Sequence, residues 1–418
     1  MKTRIRLSVT SPVRAQQLFI VLIACIALSI PFQAIYNSLL VIALMVVWLF
    51  FLPKQIHQTG LAVMAIISVP FWLSLIGLTY SENINEGLFR VQQKSLFVIF
   101  PIILGSVDID WDRALRWAFS AFVVGIVGAC VVSVAMTLTY GPREDFFLVS
   151  VLPSGRLMNL YPYILALMCL IGIVILSETF VRHRLLSQWL MGNIFRWIAI
   201  AFLIIVVLLL GVKQTIFALT LIAFFYSFRF KKQLTLIIWL VAILLVAIAF
   251  AFLPGVKGRV QEALAEVSNE NPLKVQPESA MPLNGIALRR AIWVCAVDVI
   301  RNHPVLGVGT GDGQDELQKA YAQRQFILAA DYNRFNAHNQ YLQMLVVAGV
   351  VGFVFWLGSI AWLLVQFRES MLLKLIMSIS LFCMLTESML ETNKGCLVMS
   401  FFVSSICFAA RAKNLKKT

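Results

Sequence analysis

Charge is what this chain lacks. Only 13% of its 418 residues are Asp, Glu, Lys or Arg, against 60% hydrophobic. A soluble domain carries about 25% charge to cover its surface, so a soluble fold is excluded. Acidic residues are the scarcer sign, 20 against 34 basic ones, and histidine occurs four times. The resulting net charge of +14 is no nucleic-acid signature. The basic residues gather at the ends of apolar runs, where the positive-inside rule puts them. Cysteine is sparse too. Cys25, Cys130, Cys169, Cys383, Cys396 and Cys407 lie in apolar runs, and Cys295 stands alone in the main polar segment. No two are spaced as CxxC, so neither a disulfide nor a metal site is expected, and the thiols read as small hydrophobes.

What is abundant is apolar sequence in stretches long enough to cross a bilayer, about 17–25 residues each. The pattern predicts an all-α, polytopic integral membrane protein of about twelve spans. Their limits are near 17–33, 35–52, 61–79, 94–107, 115–140, 157–179, 195–211, 214–228, 234–253, 338–366, 371–389 and 395–410. The first run follows a basic start with no small-residue cleavage site after it, so no cleavable signal peptide is expected. Lys and Arg fix the orientation. The N-terminus, the 180–196 and 229–232 connections, Arg368 with Lys374, and the tail from Arg411 to Lys417 should all be cytoplasmic. An even number of spans allows that.

The chain therefore divides into residues 1–253, nine spans; 254–337, a long outer loop; and 338–418, three spans and a basic tail. The outer loop is not featureless. "RVQEALAEV" (259–267), "LRRAIWVCAVDVI" (288–300) and "DELQKAYAQRQFILAA" (315–330) show helical spacing of apolar residues. Asn302-His303-Pro304 stops the second, and "GVGTGDG" (307–313) makes a loop before the third. The glycines do not follow a strand at dinucleotide-binding spacing, so a turn is expected, although its backbone N–H groups could assist an anion. This helical cap is too poor in apolar residues to fold well without the membrane domain.

Polar residues facing outward at span ends are the candidates for chemistry, because charge inside a membrane is costly. They are Glu82, Glu86, Arg90 and Lys94; Arg143, Glu144, Asp145 and Arg156; Lys213; Arg289 and Arg290; and His338. Cations dominate, with one histidine and no clustered carboxylates, which suits a phosphate or pyrophosphate better than a divalent metal. Each has a plainer reading. His338 could be a polar residue at a helix end, Lys213 a C-terminal helix cap, and Arg90 with Lys94 headgroup anchors; Arg289 and Arg290 could be exposed on an amphipathic helix.

"RRAIWVCAVDVIRNHPVLGVGTGD" (289–312), followed by "HNQYLQMLVVAGVVG" (338–352), resembles the signature of the O-antigen ligase superfamily. That superfamily includes O-antigen ligases, O-antigen polymerases and protein O-oligosaccharyltransferases. The resemblance lies in Arg289 four residues before Trp293, His303-Pro304, Gly307-Val308-Gly309, and His338-Asn339 with Leu342 and Gly349. "GLTYSENINEGLFRVQQKSLFVIFPIIL" also resembles members, and the likeness extends over about 60–400. Where members have Arg in an S-R-T turn between spans seven and eight, this chain has "GVKQT", so Lys213 takes that place, with Gln214 beside it.

The resemblance implies a GT-C-like glycosyltransferase of the inner membrane, metal-independent and without cofactor, active on the periplasmic face. The donor would be a glycan on undecaprenyl pyrophosphate and the acceptor a hydroxyl, in lipopolysaccharide biosynthesis the lipid A-core. His338 would be the base, since neutral imidazole suits that task near pH 7 and a helix N-terminus disfavours imidazolium. Arg289 would share the catalytic centre with it. Lys213, Arg289, Arg290, Arg90 and Lys94 would hold the pyrophosphate, supported by Asn339, Gln214 and Trp293. A ligase is the first choice because the outer loop is a single moderate cap. A polymerase, a protein O-oligosaccharyltransferase and a transporter are the alternatives. The last lacks an internal repeat and buried acids in spans nine to twelve apart from Glu387.

Overall fold

The computed structural model describes residues 12–55, 58–140, 161–181, 193–227, 285–326, 329 and 334–415. Among these residues every regular element is helical, so the fold is all-α. The first ten helices are α1 (Pro12–Ser29), α2 (Ala34–Phe51), α3 (Gln58–Ile67), α4 (Val69–Leu78), α5 (Ile84–Lys94), α6 (Leu96–Gly105), α7 (Trp111–Tyr140), α8 (Pro162–Val181), α9 (Asn193–Leu210) and α10 (Lys213–Ser227). They are followed by α11 (Gly285–Asn302), α12 (Gly313–Gln323), α13 (Gln340–Gln366), α14 (Met371–Cys383) and α15 (Asn393–Leu415).

Among the described residues five stretches are long and apolar enough to span a bilayer, and α3 with α4, bent by 55° at Ser68, makes a sixth if the pair is one span. Shorter apolar helices occupy the expected spans one, six, seven, eight and eleven. The expected ninth span (234–253) and the helix expected at 259–267 lie outside the described residues. Three limits differ most from the expectation. The fourth span begins a helix earlier, running from Ile84 to Gly105. The helix expected at 315–330 stops at Gln323, followed by Gln325 at φ 56°. The eleventh ends at Cys383 rather than 389.

The described residues fall into two compact units. One draws on 1–64, 100–210 and 401–418, the other on 65–99 and 211–400. In the first, α1 packs on α2 and α7, while α8 packs on α9 and both touch α7. The second unit holds every candidate site residue among the described ones. There α4 packs on α5 and α13, α10 on α14, and α11 on α12 and α13. The cap formed by α11 and α12 has a small core of its own, with Ile292, Cys295, Leu317, Tyr321 and Phe326 at its centre. Val346 of α13 belongs to that core, and Leu342 and Val347 pack against it. The cap thus completes its core by leaning on a membrane helix, as its low apolar content requires. Burial pushes the Cys295 thiol up to about 11, which leaves it a packing residue rather than a nucleophile.

The glycine motif is explained by a break in α13. Gly349 sits at φ 61°, ψ −167° inside that helix. A helix break frees carbonyls and N–H groups that need partners. Residues 304–311 supply them. Val308 and Gly309 N–H donate to Val346 and Val347 O at 2.9 and 3.0 Å, while Val350 and Val351 N–H donate to Pro304 and Val305 O at 2.9 and 3.2 Å. A Cβ on Gly349 would meet Val305 O at 2.3 Å, so no other residue fits there. On its other side the loop holds the end of α4. Thr310 N–H donates to Gly77 O at 3.3 Å, and Gly311 N–H to Ser81 Oγ at 2.9 Å. The N–H groups of Val308, Gly309, Thr310 and Gly311 are thus engaged within the protein, and this part of "GVGTGDG" is a structural clasp rather than an anion site.

Candidate active site

The residues from Met384 to Glu391, between α14 and α15, form the hub of the site. Several elements hydrogen-bond to this short segment. Gln340 N–H donates to Met384 O at 2.8 Å, Asn339 N–H to Ser388 Oγ at 3.2 Å, and Leu390 N–H to the Gln340 side chain at 2.7 Å. Arg289 Nε donates to Thr386 O at 3.0 Å, and Arg90 Nη1 to Glu391 O at 3.2 Å. The segment carries two buried carboxylates, Glu387 and Glu391. Each collects cations singled out from the sequence.

Glu387 lies between Arg289 and His338. One carboxylate oxygen accepts a hydrogen bond from Arg289 Nη2, and the other is 3.3 Å from His338 Nδ1. The Glu387 side chain is only 8% exposed, whereas those of Arg289 and His338 are each 27% exposed and so within reach of a substrate. With Nδ1 directed at a carboxylate, the ring proton belongs on Nδ1 and the lone pair on Nε2, the tautomer a general base needs.

The backbone holds His338 in an unusual conformation. Its φ is 42°, and Gln325 is the only other described non-glycine residue in the left-handed region. Such a conformation costs about 1–3 kcal/mol and persists where the surroundings over-determine it. The neighbouring asparagines do so here. Asn336 Oδ1 accepts from His338 N–H at 2.9 Å, and Asn339 Oδ1 accepts from Tyr341 and Leu342 N–H at 2.9 and 3.1 Å. Asn339 is thus the N-cap of α13 and supports the histidine by ending the helix beside it. The helix starts at Gln340, so His338 is outside the first turn. The ring's polar neighbour among the described residues is Glu387, a partner the helix-end expectation did not include.

Glu391 is the counterpart for the other two cations. Lys94 Nζ lies 3.0 Å from Glu391 Oε1, and Arg90 Nη1 3.5 Å from Oε2. Arg90 also pairs with Glu86 one turn earlier in α5, at 2.7 Å. Burial pushes the Glu391 carboxyl up, but Lys94 and then Arg90 more than offset this and hold it below the ordinary carboxylate range. Lys94 is only 3% exposed. It is an internal counter-ion, so the pyrophosphate contact expected for it is not the role its surroundings give it. Arg90 is likewise committed to Glu86, Gln93 and Glu391.

The remaining candidates lie apart. Lys213 is the first residue of α10 and half-buried, with Gln214 buried beside it. Gln214 Nε2 has no hydrogen-bond partner among the described residues. The helix they start packs on α14, which leads into the hub. Arg290 is exposed and lines an open cleft with Trp293, Asp298, Arg301 and Arg324, so it does not join Arg289 at Glu387. Trp293 borders that cleft and packs on the cap core. Arg143, Glu144, Asp145 and Arg156 lie outside the described residues.

Sequence reasoning missed the role of Glu387 and overlooked Glu391. The span drawn over 371–389 absorbed the first, and the list of outward cations hid both. A signal was present: two carboxylates four residues apart in an apolar stretch are costly in a bilayer unless paired. A family model described as O-antigen ligase matches residues 197–357. That segment is similar to the O-antigen ligase family and supports the resemblance read from the sequence. The comparison with curated proteins returns no match. The O-antigen ligase match is narrower than the resemblance read over 60–400, yet it contains Lys213, Arg289 and His338. It ends before Glu387. The match supports a ligase- or polymerase-type membrane function, that of a glycosyltransferase-like enzyme working on a lipid-linked glycan and an acceptor.

Proposed function

We propose that the chain is an O-antigen ligase of the bacterial inner membrane. It would move O-polysaccharide from undecaprenyl pyrophosphate to a hydroxyl of lipid A-core on the periplasmic face. The observation that carries this reading is the bridge from Arg289 through Glu387 to His338 within and just beyond the family segment. In the reaction, His338 Nε2 takes the proton of the acceptor hydroxyl as its oxygen attacks the anomeric carbon. The bond from that carbon to the pyrophosphate oxygen breaks, and the electron pair leaves with the lipid pyrophosphate. Glu387 holds the ring through Nδ1 and stabilises the imidazolium that forms. Negative charge grows on the leaving group, where Arg289 and Lys213 act electrostatically. Pyrophosphate is a good leaving group, and the proposed route uses no metal or cofactor.

The basic residues at the tail and the inner connections support cytoplasmic termini and an outer cap. The test is a deletion strain complemented by the wild-type or the His338→Gln chain. Loss of long-chain lipopolysaccharide with accumulation of lipid-linked polymer, restored only by the wild type, supports a ligase. Lipid-linked single repeats without polymer would make it a polymerase and overturn the choice of acceptor.

A further inference from the structure

Helix α11 presents two different faces. Ala291, Ile292, Cys295, Ala296 and Val299 are buried in the cap core. The opposite stripe, Arg290, Trp293, Val294, Val297, Asp298 and Arg301, repeats at i, i+3, i+4, i+7, i+8 and i+11, one face of a 3.6-residue helix. With Arg324 from the end of α12, that stripe lines a cleft of about 350 Å³. Three of its seven lining residues are arginines and one is an aspartate.

The charges are not balanced within the cleft. Asp298 is held by Arg324 in a two-pronged pair, with Arg324 Nη2 donating to Asp298 Oδ1 at 2.8 Å and Nε to Oδ2. That pairing uses up the carboxylate and stiffens Arg324. Arg290 and Arg301 form no ion pair among the described residues, although the charge of Arg301 also reaches Asp298, and both are exposed. Between them the Trp293 side chain is half-buried, and its indole N–H has no hydrogen-bond partner among the described residues. Guanidinium groups beside an indole suit a ligand with both an anionic group and an apolar ring face. A sugar carrying phosphate or carboxylate has both. The cleft also adjoins the reaction centre. Arg289 is one residue from Arg290, about 100° around the helix, and Trp293 at i+4 lies between the two faces.

We propose that the cleft formed by Arg290, Trp293, Arg301 and Arg324 is a subsite for an anionic saccharide, a phosphate- or carboxylate-bearing sugar. It rests on the glycosyl-transfer reading for its ligand class. The two exposed guanidinium groups that form no ion pair take the anion, the indole takes the ring face, and the Asp298–Arg324 pair fixes the far wall. The polymer or its acceptor would be gripped there while Arg289 and His338 act on the adjacent face. Arg290 is thereby reassigned from pyrophosphate to saccharide.

The test uses the full chain in phosphatidylcholine nanodiscs, titrated with glucose 6-phosphate, glucuronate, glucose and inorganic phosphate. Glucose 6-phosphate or glucuronate should bind at least about tenfold more tightly than glucose and than inorganic phosphate. The Arg290→Gln/Arg301→Gln variant, checked for unchanged helicity and elution, should lose about tenfold or more of that affinity, the scale of charge-assisted hydrogen bonds. His338→Gln should bind as the wild type does, so failure of the catalytic reading does not disturb this result. Equal affinity in the double variant would overturn the subsite. Inorganic phosphate binding as tightly as the sugar phosphate would reduce it to a simple anion site. Loss of sugar binding in phosphatidylglycerol nanodiscs, with none in phosphatidylcholine, would assign the arginines to a lipid headgroup.

Discussion

His338 Nδ1 stands 3.3 Å from Glu387 Oε2, joining the start of α13 to the segment after α14 across 49 residues of chain. An imidazole held through Nδ1 by a buried carboxylate presents Nε2 as the acceptor. That relationship turns a helix-end histidine into the candidate base, and it makes specific demands on substitution.

His338 itself should matter to the chemical step and not to donor binding. Removing a general base costs about 10²–10⁴ in rate. His338→Ala and His338→Gln should both insert, bind lipid-linked glycan and transfer almost nothing. Purified-enzyme turnover measured beside a donor-binding assay decides it. Near wild-type turnover by His338→Gln would make the ring a structural cap.

Glu387 should act through the ring. In Glu387→Gln the amide N–H would donate to Nδ1, which forces the ring proton to Nε2 and removes the base. Turnover should fall about 10²–10⁴, as when a buried carboxylate behind a catalytic histidine becomes an amide. KM for the donor should stay within about threefold, because binding energy is not what is lost. A KM effect with unchanged turnover would show that Glu387 shapes the donor site instead.

Arg289 and Lys213 should respond differently to conservative exchange. Arg289 makes two hydrogen bonds from one plane, Nε to Thr386 O and Nη2 to Glu387, which a lysine cannot reproduce. Arg289→Lys should therefore lose most transfer, while Lys213→Arg should keep much of it, the charge being retained at that position. Comparable losses in the two variants, measured as kcat/KM on the same donor, would sink the argument from the fork.

The apolar helices were legible in the sequence because membrane spans are written in long runs of one residue class. His338, Arg289 and Lys213 were legible through motif resemblance. The partners were not. Glu387 is 98 residues from Arg289 and 49 from His338 along the chain, and only the fold brings them together. Lys94 shows the converse. Its position looked outward because charge belongs at a span end, yet Glu391, 297 residues away, draws it inside. The glycines of 307–313 were read as a turn, but their reason, a broken α13, depends on carbonyls that no local pattern reveals.

The last prediction concerns that inside pair. Breaking a buried ion pair by removing one partner costs about 3–5 kcal/mol, because a charge is left without compensation. Lys94→Met should accordingly lower the thermal midpoint of the detergent-solubilised protein by several degrees, with Arg90 limiting the loss. Adding Glu391→Gln should restore much of it, since neither charge of the Lys94–Glu391 pair then remains. The pH dependence has a definite sign. The folded Glu391 carboxyl lies below its ordinary value of about 4.5, so its contribution is present above that pH and fades as pH falls through the folded value. The midpoint difference between wild type and Lys94→Met should therefore be full at pH 7 and shrink in acid. A difference that stayed constant from pH 7 down to pH 3 would show that Lys94 stabilises the fold by packing its stem, with no electrostatic part.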